Sequence, residues 1–368
     1  MTLEPDSRDE RLLARAFELA ARGRYSTAPN PCVGCVLARG ETIIAEGWHR
    51  RAGEPHAEAL ALAAAGAAAR GTTAYVTLEP CNHHARTPAC SEALIAAGVA
   101  RVVYAIDDPN PRVAGSGAAR LRAAGIEVLG NVAPDLAQAQ NAGFFQRMRT
   151  GRPYVRVKLG MSLDGAVALA DGSSQWITSS TARADVQRLR AEASAIATGI
   201  GTLLVDDPSL NVRDPRFDLH GRQPLRLVLD RHLHTPPHAR LFSLPGETWL
   251  FCGAEALANA PPLRAAGARI EVVPLDQGRI ALLPFLTRLG ELEVNDLLVE
   301  TGPRLASAFV TAQVFDELVI YVAPKVLGRE ARRAFDVESP LDLAAALTLR
   351  LGACDRIGDD VRLILRRD

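Results

Sequence analysis

The sequence predicts two successive α/β domains, and three observations carry that prediction. Short apolar runs of strand character alternate with amphipathic helical stretches along the whole chain, the pattern of sheets covered by helices. The 368 residues are enough for two ordinary domains. A break at residues 141–153, Asn141-Ala142-Gly143-Phe144-Phe145 leading through Arg147-Met148-Arg149-Thr150-Gly151-Arg152 into Pro153, separates two such alternating blocks. We place the boundary at about residue 148, giving domains 1–148 and 149–368. No Pro/Ser-rich linker marks it, so closely apposed domains are expected.

In the first block, residues 10–22 form an Ala-rich amphipathic helix, stopped by Gly23-Arg24-Tyr25-Ser26 and Pro29-Asn30-Pro31. Residues 33–37 and 42–46 read as a hairpin around Arg39-Gly40. A helix runs from His56 to about Ala69, with Pro55 near its first position. Strands follow at 74–78 and 99–106, then a helix at 118–124 and a short strand at 126–129. This alternation implies a three-layer arrangement. In the second block, strands are expected at 155–158, 195–198, 225–229, 248–252, 270–273, 296–299 and 318–322, with helices at 181–193, 281–289 and 304–312.

The chemistry-bearing pattern is His56-Ala57-Glu58, then Pro80-Cys81, then Cys90. One imidazole and two thiolates suit Zn²⁺ with a fourth position left for water, whose pKa the ion lowers from ~16 toward ~7. Glu58, just inside a helix start, is placed to take the water's proton and pass it to a leaving amine. The pattern is the equipment of a hydrolytic deaminase. The two cysteines stand nine residues apart, and nine steps of about 100° would put them on opposite faces of one helix. The segment between them must therefore loop out, with Pro88 favouring a new helix that Cys90 opens. The polar loop 82–87 is a candidate recognition insert, and His83 or His84 in place of Cys90 is the alternative ligand.

Composition narrows the partners. The chain is 48% hydrophobic with 42 basic and 42 acidic side chains, which fits a globular protein and argues against a nucleic-acid enzyme with a basic footprint. A small-molecule substrate is expected, with no nucleic acid or membrane partner. No run is long and apolar enough to span a bilayer, and the charged first ten residues lack a hydrophobic signal core, so a cytoplasmic protein is expected. Six cysteines do not make a disulfide framework. Cys32 and Cys35 have CxxC spacing but lie on an apolar strand and read as buried structural thiols. Gly115-Ser116-Gly117 lacks the third glycine of a dinucleotide fingerprint and reads as a turn. His220, His232, His234 and His238 read as a polar loop.

The stretch from Thr77 to Cys90 closely resembles the bifunctional deaminase/reductase family of riboflavin biosynthesis. So do Pro29-Asn30-Pro31, Gly53-Glu54-Pro55-His56-Ala57-Glu58 and Asp108-Pro109-Asn110-Pro111. Further matches are the segments 158–165, 175–179, 206–208, 299–303 and 323–328, in the family's order. The resemblance implies a cytidine-deaminase-like first domain and a dihydrofolate-reductase-like second one, zinc and NADPH as cofactors, and a homo-oligomer. Its two reactions would be deamination of 2,5-diamino-6-(5-phosphoribosylamino)pyrimidin-4(3H)-one and reduction of the ribosyl group to ribityl.

Carried over position by position, the resemblance assigns the deaminase substrate to Asn30, His49, His83, Arg86 and Asn110. Arg86 stands where the family often has Lys, and Ala85 where it often has Gly. For His49 and Asn110, ordinary turn or core hydrogen bonding is the alternative. The reductase substrate falls to Ser174, Arg190, Leu210, Arg213 and Glu300. NADPH falls to Gly160, Trp176, Thr202, Asp206 and the segment Gly302-Pro303-Arg304-Leu305, where a helix start can hold pyrophosphate. Lys158 and Asp164 divide evenly between chemistry and structural pairing, and Arg231 between a 2′-phosphate contact and a solvated strand end. A nucleoside or base deaminase fused to a different reductase, and a non-catalytic zinc-stabilised pyrimidine-binding scaffold, are the competing readings. Against the scaffold stands Glu58, a carboxylate beside the metal that need not be a ligand.

Overall fold

The computed structural model describes residues 4–82, 89–111 and 113–367. The chain divides into two compact units after Gly151. The expected boundary at about 148 falls inside a helix, because the break at 141–153 is folded: Ala142–Thr150 is helical and buries Phe144 and Phe145. Both rings are buried in one core cluster.

In the first unit α1 (Ser7–Ala21) precedes β1 (Gly34–Arg39) and β2 (Thr42–Trp48), the expected hairpin. There follow α2 (Ala57–Ala65), β3 (Thr73–Val76), α3 (Cys90–Ala96), β4 (Arg101–Tyr104), α4 (Ser116–Ala123), β5 (Glu127–Leu129), α5 (Pro134–Gln140) and α6 (Ala142–Thr150). The five strands stand in the order β2-β1-β3-β4-β5. Because side chains alternate across a strand, the sheet has two apolar faces. Cys35, Leu37, Val76 and Val102 pack with Ala61 of α2, Leu94 of α3 and Leu121 of α4. Val36, Tyr75 and Val103 pack with Leu13 and Leu19 of α1 and with Phe144 and Phe145 of α6. The arrangement is the expected three-layer one. Asp6 opens α1 with a reciprocal cap, its side chain accepting from the Asp9 N–H. Asp9 in turn is buried beneath Arg101, at 2.7 Å, and Tyr75, at 3.0 Å, so its charge is paired rather than stranded.

The second unit begins with β6 (Tyr154–Ser162), β7 (Ala166–Ala168), α7 (Ser180–Glu192), β8 (Ala195–Gly199), α8 (Ile200–Asp206), β9 (Leu225–Leu229), β10 (Thr248–Cys252), α9 (Ala260–Ala265) and β11 (Ala268–Val272). It continues with β12 (Leu275–Asp276), β13 (Arg279–Ile280), α10 (Leu282–Glu291), β14 (Asp296–Glu300), α11 (Pro303–Thr311), β15 (Glu317–Ala323), β16 (Arg332–Arg333), β17 (Arg350–Ile357) and β18 (Asp360–Arg366). Nine strands form one sheet, β11-β10-β9-β8-β14-β6-β15-β18-β17. It is parallel up to β15, with β18 and β17 added antiparallel. One face, with Val157, Leu227 and Val299, is covered by Phe285 and Leu289 of α10 and Phe309 of α11. The opposite face is covered by Val186 and Leu189 of α7 and by Leu203 of α8 and Leu263 of α9. The terminal hairpin β17–β18 and the short α8 escaped the sequence reading. β17 exposes most of its alternating positions, and so offers no continuous apolar run.

Phe251 is fully buried and meets Phe285 edge-on at 4.8 Å between ring centroids. Phe251→Ala is expected to lower the stability of the second unit by about 3–5 kcal/mol, read from the denaturant midpoint of its unfolding transition.

Candidate functional site

The first unit brings its three sequence-assigned metal ligands together from three local structures. His56 is the N-cap of α2, with extended backbone (φ −71°, ψ 165°) and Pro55 just before it. Cys81 lies in the turn beyond β3. Cys90 is the first residue of α3, following Ala89 as N-cap, so the two cysteines do not share one helix. His56 Nδ1 stands 3.3 Å from Cys90 Sγ and 3.6 Å from Cys81 Sγ, and all three ligand atoms lie within 4.8 Å of one another. Zn–N and Zn–S bonds of about 2.0 and 2.3 Å place N and S roughly 3.5 Å apart on a tetrahedron. The donor set and its spacing therefore fit zinc, and among the described residues it is the one such group.

The electrostatics agree with that fit. The hydrogen bond from Cys90, followed by His56, pulls the Cys81 thiol down, the same Cys81 lifts His56 to about 9, and Cys81 together with burial pushes the Cys90 thiol up. A cation placed among these atoms meets a thiolate already favoured. Glu58, second in α2, is 3% exposed; burial raises its carboxyl above the usual range, opposed by His56. A buried carboxylate of raised pKa beside an open metal position suits proton transfer.

Asn30 and His49 stand beside this group. The Asn30 amide donates to His49 Nε2 at 3.0 Å, and His49 Nδ1–H donates to the Pro55 carbonyl at 3.1 Å, which fixes the tautomer through its partners. Burial lowers the His49 pKa and keeps the ring neutral. Its ring meets that of His56 edge-on at 5.4 Å. Asn110 lies in a turn in which its N–H donates to Asp108 at 2.8 Å. Burial, with Glu79 and Cys81 nearby, lifts Asp108 to about 6. His83 and Arg86 lie outside the described residues, as does His84.

Two buried polar side chains near this site went unmarked in the sequence. Asn141, read as part of a seam, accepts the Cys32 N–H at 2.7 Å and donates to its carbonyl at 3.0 Å, holding the chain just after Asn30. Glu79 accepts three backbone N–H groups, from Asp108, Gly115 and Ala118. Neither has a signal in its residue type alone. Cys32 and Cys35 are buried free thiols, with Cys32 beside the Thr27 hydroxyl at 3.4 Å.

In the second unit, Glu300 at the end of β14 is opposite Lys158 of β6 in register. Arg190 of α7 meets Glu300 with a two-pronged pair at 2.6 and 2.8 Å. Burial opposes the Glu300 charge, but Arg190 and Lys158 outweigh it and hold the carboxyl low; burial lowers Lys158. Arg213 is within electrostatic reach of this pair and donates to Asn211 Oδ1 at 3.0 Å. Leu210 packs its side chain into the core at φ 43°, which leaves only its backbone to face outward. Ser174 is half-buried, its carbonyl accepting the Ile177 N–H.

The residues assigned to dinucleotide fall into two groups. Thr202 Oγ1 accepts the Gly302 N–H at 3.1 Å, and Pro303, first in α11, has none to offer. The N–H groups of Arg304 and Leu305 are therefore the ones a pyrophosphate can take at this helix start. Trp176 is 61% exposed with the Arg183 guanidinium over its ring, and Gln175 beside it reaches Asp206 at 3.3 Å. Gly160 faces Thr178, where a Cβ would come within 3.1 Å of its methyl. Asp164 is engaged structurally: it accepts from the Ser162 hydroxyl at 2.6 Å and from the N–H groups of Leu327 and Gly328. Arg231 is exposed and donates to the Gly278 carbonyl. Rings of His232 and His234 lie 5.4 Å apart, and among the described residues they join no group of three metal-ligating side chains.

A family model described as the cytidine and deoxycytidylate deaminase zinc-binding region matches residues 6–106, and one described as the RibD C-terminal domain matches residues 153–363. The riboflavin biosynthesis protein RibD of Escherichia coli (strain K12) is 47% identical over 366 residues, covering 97% of this chain and 99% of that protein. The solved structure of Acinetobacter baumannii RibD superposes with a TM-score of 0.91 at 42% identity, covering 98% of this chain and 99% of that one. A Thermotoga maritima structure described as a diaminohydroxyphosphoribosylaminopyrimidine deaminase/5-amino-6-(5-phosphoribosylamino)uracil reductase does so with a TM-score of 0.87 at 31% identity, with the same coverage. No helix among the described residues is long and apolar enough to cross a membrane. With both family models in sequence and relatives matched over almost their full length, the chain belongs to the RibD family, as a bifunctional deaminase and reductase of riboflavin biosynthesis.

Proposed function

We propose that the first unit deaminates 2,5-diamino-6-(5-phosphoribosylamino)pyrimidin-4(3H)-one, and that the second reduces the ribosyl group of the resulting uracil to ribityl with NADPH. The observation that carries the first step is the convergence of His56, Cys81 and Cys90 beside a buried carboxylate, Glu58. One zinc per chain, held by these three side chains, supplies a polarised water when bound. The remaining chemistry falls to the protein. Glu58 accepts a proton from water and returns it to the amine, so that a C–O bond forms as the C–N bond breaks and ammonia leaves. Asn30 and His49, already locked to each other, present a polar edge to the ring, joined by Asn110. His83 and Arg86 are assigned the ring and the phosphate by family resemblance.

For the second step, NADPH supplies a hydride when bound. Gly160, Trp176, Thr202, Asp206 and the segment 302–305 hold the dinucleotide, with the N–H groups of Arg304 and Leu305 facing pyrophosphate. Glu300, held charged by Arg190 and Lys158, takes the sugar hydroxyls; as the anomeric C–O bond breaks and a C–H bond forms at that carbon, the Lys158 ammonium favours the charge on the freed sugar oxygen until it takes a proton from solvent. Ser174 and the Leu210 backbone line the substrate. Arg213 takes the phosphate through a charge-assisted contact.

Two variants test the assignments separately. Glu58→Gln is expected to keep zinc and fold but to lose deamination by a factor on the order of 10² or more, while still oxidising NADPH when given the deaminated intermediate. Wild-type ammonia release would remove Glu58 from the mechanism. Arg213→Ala is expected to release ammonia normally and to bind the reductase substrate roughly tenfold to a hundredfold more weakly at fixed NADPH. Equal loss of both activities in either folded variant would mean one shared site.

A further inference from the structure

We infer that Glu79 is a positioning residue of the deaminase site, tying the ligand turn at Pro80-Cys81 to the Asp108–Asn110 turn and to the start of α4. This rests on the reading above, in which Cys81 holds the metal and Asn110 meets the substrate. Glu79 is 3% exposed, and both of its carboxylate oxygens are engaged. Oε1 accepts the Ala118 N–H at 3.0 Å. Oε2 accepts the Gly115 N–H at 2.9 Å and the Asp108 N–H at 3.3 Å. Gly115 and Ala118 are the N-cap and third residue of α4. A glycine N-cap has no side chain to satisfy these donors, so a carboxylate from another element does it.

Asp108 in turn accepts the Asn110 N–H at 2.8 Å, so the orientation of Asn110 descends from Glu79 through one intermediate. An independent contact runs the other way. Gly117 lies so close to the ligand turn that a Cβ on it would stand 1.8 Å from the Pro80 carbonyl oxygen, a backbone atom that cannot swing aside. Val113 closes the block by packing on both Cys81 and Cys90. The start of α4, the Asp108–Asn110 turn and the Cys81 ligand are therefore held as one piece. An error of about an ångström between metal and substrate contact is enough to cost a large part of the rate.

The test uses the full-length zinc protein carrying Glu79→Gln, which keeps the side chain's size but turns one acceptor into a donor facing N–H groups. Expected are unchanged zinc content, unchanged reductase KM and kcat, and a deaminase KM raised about tenfold or more with a lower kcat. The thiolate-to-cobalt absorption band of the cobalt-exchanged protein is expected to shift as Cys81 moves. Gly117→Ala, pressing on Pro80 from the other side, is expected to give the same pattern. Wild-type deaminase constants with an unshifted cobalt band in Glu79→Gln would overturn the inference. So would unfolding of the deaminase unit in both variants, which would leave Glu79 a role in stability alone. The underlying ligand reading fails by a separate route, if Cys81→Ser retains full zinc.

Discussion

The deaminase unit is organised around three donors, one imidazole and two thiols, brought within 4.8 Å of one another by elements that do not share a helix or a strand. His56 caps α2, Cys90 opens α3, and Cys81 sits in the turn that leaves β3. Helix starts are suited to this because their first residues are fixed by the sheet below while their side chains remain outside the helical ladder. The core supplies the fixing. Ala57 and Ala61 bring α2 onto Leu37 and Cys35, and Leu94 brings α3 onto the same layer. Small residues on α2 let it approach closely: Gly47 of β2 has the Ala57 carbonyl oxygen only 2.3 Å from where its Cβ would be. A side chain at Gly47 would lift the helix that carries both His56 and Glu58.

The reductase unit uses a different constraint, a part-buried carboxylate between two cations. Glu300, Lys158 and Arg190 are mutually compensating, since removing either cation would leave Glu300 less supported in a desolvated position. The sheet register sets Glu300 beside Lys158, and α7 brings Arg190 across them. Charges organised in this way are held in place by the fold itself.

Much of this was legible in the sequence because the signals were chemical or periodic. The spacing of Cys81 and Cys90 demanded a loop, and Cys90 does open a helix. Most central strands of both sheets appeared as apolar runs near their true bounds. What stayed hidden depended on tertiary partners. Asn141 looks like a loop residue until Cys32 is found against it, 109 positions away. Glu79 looks like a polar residue at a strand end until α4 is seen to lack a cap of its own. Asp164 divided evenly between chemistry and structure until the N–H groups of Leu327 and Gly328 were found on its carboxylate. The C-terminal hairpin pairs with β15, but its exposed alternating positions gave no strand signal strong enough to stand alone.

The most direct test of the central claim, that His56, Cys81 and Cys90 together form one zinc site, is X-ray absorption at the zinc edge of the full-length protein. The expected result is a four-coordinate first shell of two sulfurs at about 2.3 Å and two nitrogen or oxygen atoms at about 2.0–2.1 Å, one from imidazole and one from water. A shell with a single sulfur and additional imidazole nitrogen would contradict it and would move the site toward the histidines between the two cysteines.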